Sequence, residues 1–259
     1  MPPTDHVVTL LPNCRVGAVG AVLAAAVLLT GCVSTVAGTA TRQSAAQGVP
    51  VDAPPLDEAD LDAVLLTIGE LNAIMGSAQL EVTSDLDEMT DHSAQVSDPD
   101  CLGAVYGAEE PVYAGTDWTA VRDQVAREPT DDNDHWVEQT AVLYPAAANA
   151  RQFFDTSTAI WTDCANSAIG VGDGDYLWEL DDVDVGDTMI TQVARQEGAD
   201  GWGCQHAVTL VSNLTVEAWA CGYRITDEAA EVAAAMIANV GRSSGLFHGR
   251  SPSGFRLIS

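Results

Sequence analysis

The sequence predicts an α+β fold, a mainly antiparallel sheet with packed helices and two disulfides. One observation is the order of hydrophobic patterns between residues 56 and 241: helix, a strand pair, helix, four strands and helix, joined by short turns. Another is that four cysteines, Cys101, Cys164, Cys204 and Cys221, fall inside that region. The stretch is about 185 residues, enough for one domain with its own core.

Residues 1–31 read as a lipoprotein signal peptide. After Arg15, residues 16–30 form an uncharged apolar run, shorter than the roughly 20 residues a membrane span needs. The run ends Leu29-Thr30-Gly31-Cys32, which resembles the bacterial lipobox, so Cys32 is the expected lipidation site and mature N-terminus. Residues 33–55 are small, polar and Pro-punctuated. They predict a flexible tether reaching about 25 to 30 Å from the membrane.

Charge agrees with export to the membrane surface. Thirty-eight acidic residues face ten basic ones, all Arg, for a net charge of -28. Such a surface repels phosphate backbones and anionic headgroups, which excludes nucleic acid as a partner and leaves membrane attachment to the lipid. Cysteine arithmetic fits the same compartment, because Cys14 leaves with the signal and Cys32 is acylated. Four cysteines remain, with three possible pairings. No pair has the C-x-x-C spacing of a zinc site.

The first helix is expected after the N-cap Asp57, with Leu61, Val64, Leu65, Ile68, Leu71 and Met75 at helical spacing and Gly76 as its stop. Residues 77–100 are acidic and read as loop. Strands follow over 117–127 and 135–144, separated by the turn Pro129 to Asp134. After Pro145 a second helix places Ala150, Phe153, Phe154, Ser157, Ile160, Trp161 and Cys164 on one stripe, so Cys164 faces inward. Strands are then expected over 176–183, 187–196, 203–211 and 214–221. The last helix starts at Thr226, buries Val232, Ala233, Met236, Ile237 and Val240, and stops at Gly241, leaving 242–259 as a disordered tail.

The segments Pro99-Asp-Cys101-Leu-Gly, Tyr113-Ala-Gly-Thr-Asp-Trp118, the Ala150 to Cys164 helix, Cys204-Gln-His206-Ala and Ala220-Cys221-Gly form an ordered set. Together they resemble the extracellular sensor domain of mycobacterial PknH-type serine/threonine kinases, over roughly residues 56–240. The resemblance implies an antiparallel sheet with helices around a V-shaped cleft thought to bind an unidentified ligand. It also implies pairing of Cys101 with Cys164 and of Cys204 with Cys221. A kinase domain and a transmembrane helix are absent from this sequence, so phosphorylation signalling does not follow from the likeness.

The last two strands, turning at Ser212-Asn213, supply a register. It sets Cys204 opposite Cys221 at a non-hydrogen-bonded site within reach of a bridge, which leaves Cys101 for Cys164. One hairpin face reads Ala207, Thr209, Val211, Leu214, Val216, Ala218 and Ala220, suited to lie under a helix. The other carries His206, Glu217 and Trp219, which with Trp118 and Tyr113 are the candidate ligand-binding residues.

Other motifs carry less. Gly241-Arg-Ser243-Ser-Gly245 fits G-x-S-x-G but follows a helix and has too little chain after it for a hydrolase triad. Gly170-Val-Gly172-Asp-Gly174 reads as a turn, and Asp182 to Asp187 lacks the ligand spacing of an EF-hand. Of six Trp, Trp161 is expected in the core, whereas strand Trp are placed to line a cleft. No catalytic residues, metal or cofactor are expected. The favoured function is a membrane-anchored ligand-binding or sensor lipoprotein on the extracytoplasmic face, taking a small molecule, glycan or lipid and contacting other envelope proteins. The alternative is a cell-envelope enzyme or enzyme accessory subunit, marked by a convergent acid/base pair in the cleft.

Overall fold

Period-2 segments of this chain pair as their patterns require. The computed structural model describes residues 53–130, 133–172 and 176–243. Among them eight strands form one sheet: β1 (Glu81–Leu86), β2 (Ala120–Arg127), β3 (His135–Leu143), β4 (Ala168–Val171), β5 (Tyr176–Val185), β6 (Met189–Gln196), β7 (Gly203–Val211) and β8 (Leu214–Gly222). Their order is β1-β2-β3-β8-β7-β6-β5-β4, antiparallel throughout. Two meanders, β1 to β3 and β4 to β8, are thus joined by the central β3–β8 pair.

Both faces of the central strands are covered, since every residue of β7 and β8 is buried. On one face lie α1 (Leu61–Val64), α2 (Ile68–Met75) and α6 (Glu228–Ser243). There Val232, Ala233, Met236, Ile237 and Val240 pack on Ala207, Val211, Leu214, Val216, Ala218 and Ala220, the apolar hairpin face expected under a helix. On the other face lie α3 (Leu102–Val105), α4 (Glu110–Tyr113) and α5 (Ala147–Cys164). Phe153, Phe154, Trp161 and Cys164 of α5 share a second core with Val142, Leu180, Ile190, Val208 and Leu210. Each large side chain buried in these layers contributes about 1.5–3 kcal/mol.

Both bridges expected from the sequence are present. Cys101 is bonded to Cys164, with Cα atoms 5.8 Å apart, and Cys204 to Cys221, at 4.0 Å. The β7–β8 register is the expected one, including Cys204 opposite Cys221 and His206 opposite Trp219. In the turn Ser212 takes φ 51°, while the Asn213 side chain accepts from Leu56 N at 2.8 Å and donates to Leu56 O and Tyr144 O at 3.0 and 2.9 Å. One turn residue therefore ties the start of the domain to the end of β3.

The expected first helix is two. Its apolar spacing is continuous, but Leu65 is extended (ψ 149°), and Thr67 opens α2 with its own capping box to Glu70. Leu66 N donates to the buried Gln139 Oε1 at 2.7 Å, which holds the break. Residues 77–100 are not all loop, because β1 lies there. As an edge strand it is largely exposed and polar, so it shows no alternation. The one-turn helices α3 and α4 and the four-residue β4 were likewise too short to carry a period. The last helix begins at Glu228 and runs two residues past Gly241. The signal peptide, Cys32, the tether up to residue 52 and the tail from residue 244 lie outside the described residues.

Candidate functional site

Strand register brings the chemistry together. On the α5 face, cross-strand neighbours form rows: Asp123, Thr140 and Glu217; then Val125, Glu138, Trp219, His206 and Gln192; then Arg127, Trp136, Cys221, Cys204 and Ala194. Side chains in one row stand about 5 Å apart. Acids, indoles and a disulfide therefore share one patch of sheet.

Part of the patch is sealed beneath α5. His206 is sandwiched between Trp161, ring centroids 4.1 Å apart, and Trp219, at 4.0 Å and nearly parallel. Its Nε2 meets Glu217 Oε1 at 2.6 Å, and Glu217 Oε2 accepts from Tyr113 OH at 2.9 Å and from Ala108 N at 3.3 Å. Burial drives His206 below its ordinary pKa against the pull of Glu217. Burial, with the Glu217 charge beside it, pushes Tyr113 well up. The histidine is accordingly neutral and the phenol protonated at neutral pH.

Beyond Trp219 the patch opens into a cavity of about 520 Å³. One part of its lining is a third hydrophobic cluster, in which the Cys204–Cys221 bridge and Trp219 pack with the half-buried Trp136, Trp178 and Trp202. The other part is polar. It contains Asp123, Glu138 and Glu109, with His92, Tyr106 and Arg127. Asp123 and Glu138 hydrogen-bond to each other, and Thr140 Oγ1 donates to Asp123 at 2.6 Å. Burial raises both carboxyls, Glu138 well above the usual range, and the charges of Asp123 and Glu217 push Glu138 the same way. The pair therefore retains a proton.

The segment after α3 closes the polar side. Glu109 accepts from His92 N at 2.6 Å and Thr90 Oγ1 at 3.1 Å, and contacts His92 Nδ1 at 2.5 Å. Tyr106 stacks on the His92 ring at 4.6 Å. Gly107 approaches the pair closely: a Cβ there would lie 3.0 Å from Glu138 Oε2, so the carboxyl would have to shift to admit it. The next residue, Ala108, takes φ 50°, a strained conformation beside the cavity. Among the described residues, no group of three His, Cys, Asp or Glu side chains is placed to hold a metal ion.

Of the five candidate ligand-binding residues, Trp219 lines the cavity. His206, Glu217 and Tyr113 do not; they form the buried chain behind it, because α5 and α4 cover their end of the sheet. Trp118 is half-buried against the α5-side core and does not line the cavity either. The expectation that strand Trp line a cleft fits Trp136 and Trp178, and Trp161 is core as expected. Asp123, Glu138 and Glu109 were missed. Alternation of Trp136 with Glu138 was visible, but the β3–β8 pairing that brings Glu138 beside Trp219 is long-range and has no local signal.

An antiparallel α+β sheet carrying two bridges belongs to the class of disulfide-stabilised extracellular domains. Residues 56–239 match the PknH-like extracellular domain family, and the chain belongs to that family. It is 40% identical over 196 residues to serine/threonine-protein kinase PknH of Mycobacterium tuberculosis, covering 74% of this chain and 31% of the kinase. PknH of Mycobacterium bovis is similar to the same degree, with 33% of its length covered. The chain thus spans about a third of these relatives. The crystal structure of the extracellular domain of PknH from Mycobacterium tuberculosis superposes with a TM-score of 0.71 at 39% identity, over 74% of this chain and all of that one. No helix among the described residues is long and apolar enough to cross a membrane.

Proposed function

We infer that this chain is an extracytoplasmic ligand-binding and sensing module, held at the cell membrane by lipid on Cys32, that captures a small molecule, glycan or lipid. The observation that carries this reading is the cavity itself. Its volume of about 520 Å³ lies within the 300–1,000 Å³ typical of ligand sites. Three of the four indoles lining it are only half-buried, although folding alone favours covering such rings. The part of PknH that is matched is its extracellular domain, so the kinase activity in that protein's name is not carried to this chain. Native mass spectrometry of the protein purified from its own host tests the reading. A co-purifying small molecule, lost when Trp136 and Trp178 are changed to Leu with the fold retained, supports it, and an empty protein in repeated preparations counts against it.

The Asp123–Glu138 pair favours a second reading as a cell-envelope enzyme, because a proton-sharing carboxyl dyad in a cavity is a known acid/base device. Under that reading the recovered molecule is converted by the wild-type chain and persists unchanged on Glu138→Gln. Recovery of the same unaltered molecule from both chains removes it.

A further inference from the structure

Resting on the ligand-binding reading, a narrower question is which chemical class the cavity selects. Indole faces accept both the C–H face of a sugar and a cation, so the aromatic wall alone does not choose. The carboxyl groups do. Asp123, Glu138 and Glu109 all line the cavity, and Glu217 stands directly behind it. His92 is already engaged by Glu109, and Arg127 sits exposed at the end of β2. Among the described residues neither Asp123 nor Glu138 forms a salt bridge; the two carboxyls bond to each other through a retained proton. Within one row Glu138 is the cross-strand neighbour of Trp219, which places negative potential beside an aromatic face. Trp219 itself is 5% exposed and lines the cavity.

We propose that the cavity binds an organic ammonium ion, its cationic group held among the indoles of Trp136, Trp178, Trp202 and Trp219 against the Asp123–Glu138 pair. The ammonium takes the place of the proton the pair retains, so binding releases a proton to solvent and the charge balances. Cation–π attraction is strongest for Trp and grows when the cation is desolvated, as it would be here. The acidic groups around the pair are Glu217 from β8, Asp85 from β1 and Glu109 from the segment after α3, each reinforcing the preference for a cation; the basic groups lining the same cavity are His92, bound to Glu109, and Arg127 at the end of β2.

The test titrates the full chain in a non-ionic detergent with choline and with dimethylbutanol, the uncharged carbon isostere, following Trp fluorescence in high salt to suppress ion exchange at the acidic surface. Expected is a saturable change with choline and at least about tenfold weaker binding of the isostere. Affinity for choline should rise between about pH 5 and pH 8, because less of the pair's proton must be displaced. Glu138→Gln, which keeps shape and hydrogen bonding, should narrow the gap between the two probes, and Trp178→Leu, at a half-buried site, should weaken choline with the fold intact by circular dichroism. Phosphatidylcholine vesicles that compete with choline identify a lipid headgroup as the source, whereas vesicles without effect identify a free amine. Equal binding of choline and its isostere, no choline binding, or an unchanged gap in Glu138→Gln overturns the proposal. If choline fails while native mass spectrometry still recovers a neutral ligand, the ammonium is rejected and the ligand-binding reading stands; if neither finds an occupant, both fall.

Discussion

Glu138 bears an electrostatic cost that burial imposes and nearby carboxylates increase. Its pKa is raised on folding, so the folded chain binds that proton more tightly than the unfolded one does. The stabilisation is complete below the ordinary carboxylate range and is lost as pH climbs through the raised folded value. Asp123 shifts the same way and adds to the effect. Glu138→Gln is therefore expected to raise the denaturant midpoint at about pH 8 and to leave it nearly unchanged at about pH 4, each unit of upward shift being worth about 1.4 kcal/mol. Urea unfolding of both chains across that range checks it, and a mutant that loses stability equally at all pH values would show that the carboxylate is needed for packing instead. A steric companion is Gly107→Ala, whose methyl meets the Glu138 carboxyl at 3.0–3.1 Å. With both neighbours buried, about 1–3 kcal/mol should be lost, together with a change in Trp fluorescence from the cavity wall.

At the level of elements, Asn213 shows how one turn side chain fixes the ends of several. Its three hydrogen bonds reach Leu56 and Tyr144, all buried. Asn213→Ala should cost about 2–4 kcal/mol in thermal or urea unfolding, because it leaves buried backbone groups unpaired. The β7–β8 pair was legible in sequence for a local reason: a two-residue turn fixes the register, and alternation then sorts every side chain to a face. The same reasoning could not reach the β3–β8 pair, whose partners are separated by α5 and four strands, and that pair is where Glu138 meets Trp219. This is why Trp219 and Glu217 were found and the cross-strand Glu138 was not. Thr67 and Glu70 carried a readable capping box, yet unbroken apolar spacing from Leu61 to Met75 masked the helix break. The two bridges also differ as elements. Cys101–Cys164 spans 63 residues and Cys204–Cys221 spans 17. Loop-closure entropy gives upper figures of about 4 and 3 kcal/mol respectively, so replacing the first pair by Ser should lower stability more. Removing the second should disturb the indole cluster it anchors, and near-UV circular dichroism distinguishes the two losses.

For the whole molecule, charge decides how the domain can be held at a membrane. With a net charge of -28 the chain is repelled by anionic headgroups, and no described helix is long and apolar enough to span a bilayer. Attachment by surface electrostatics is therefore unfavourable, and the reading of Leu29-Thr30-Gly31-Cys32 as a lipobox assigns it to lipid on one thiol. A single short acyl chain holds a protein only weakly, at about 10⁴ M⁻¹, whereas two or more chains hold it stably. A diacylglyceryl group on Cys32, as proposed, would satisfy that requirement. Cys32→Ala is therefore expected to move the protein from the membrane fraction to the soluble fraction or the medium, with both disulfides still formed on non-reducing gels. High-salt washing should leave the wild-type chain on the membrane, since screening would free only a protein held by charge. If Cys32→Ala still sediments with membranes after that wash, the anchor is not Cys32 and the lipobox reading is wrong.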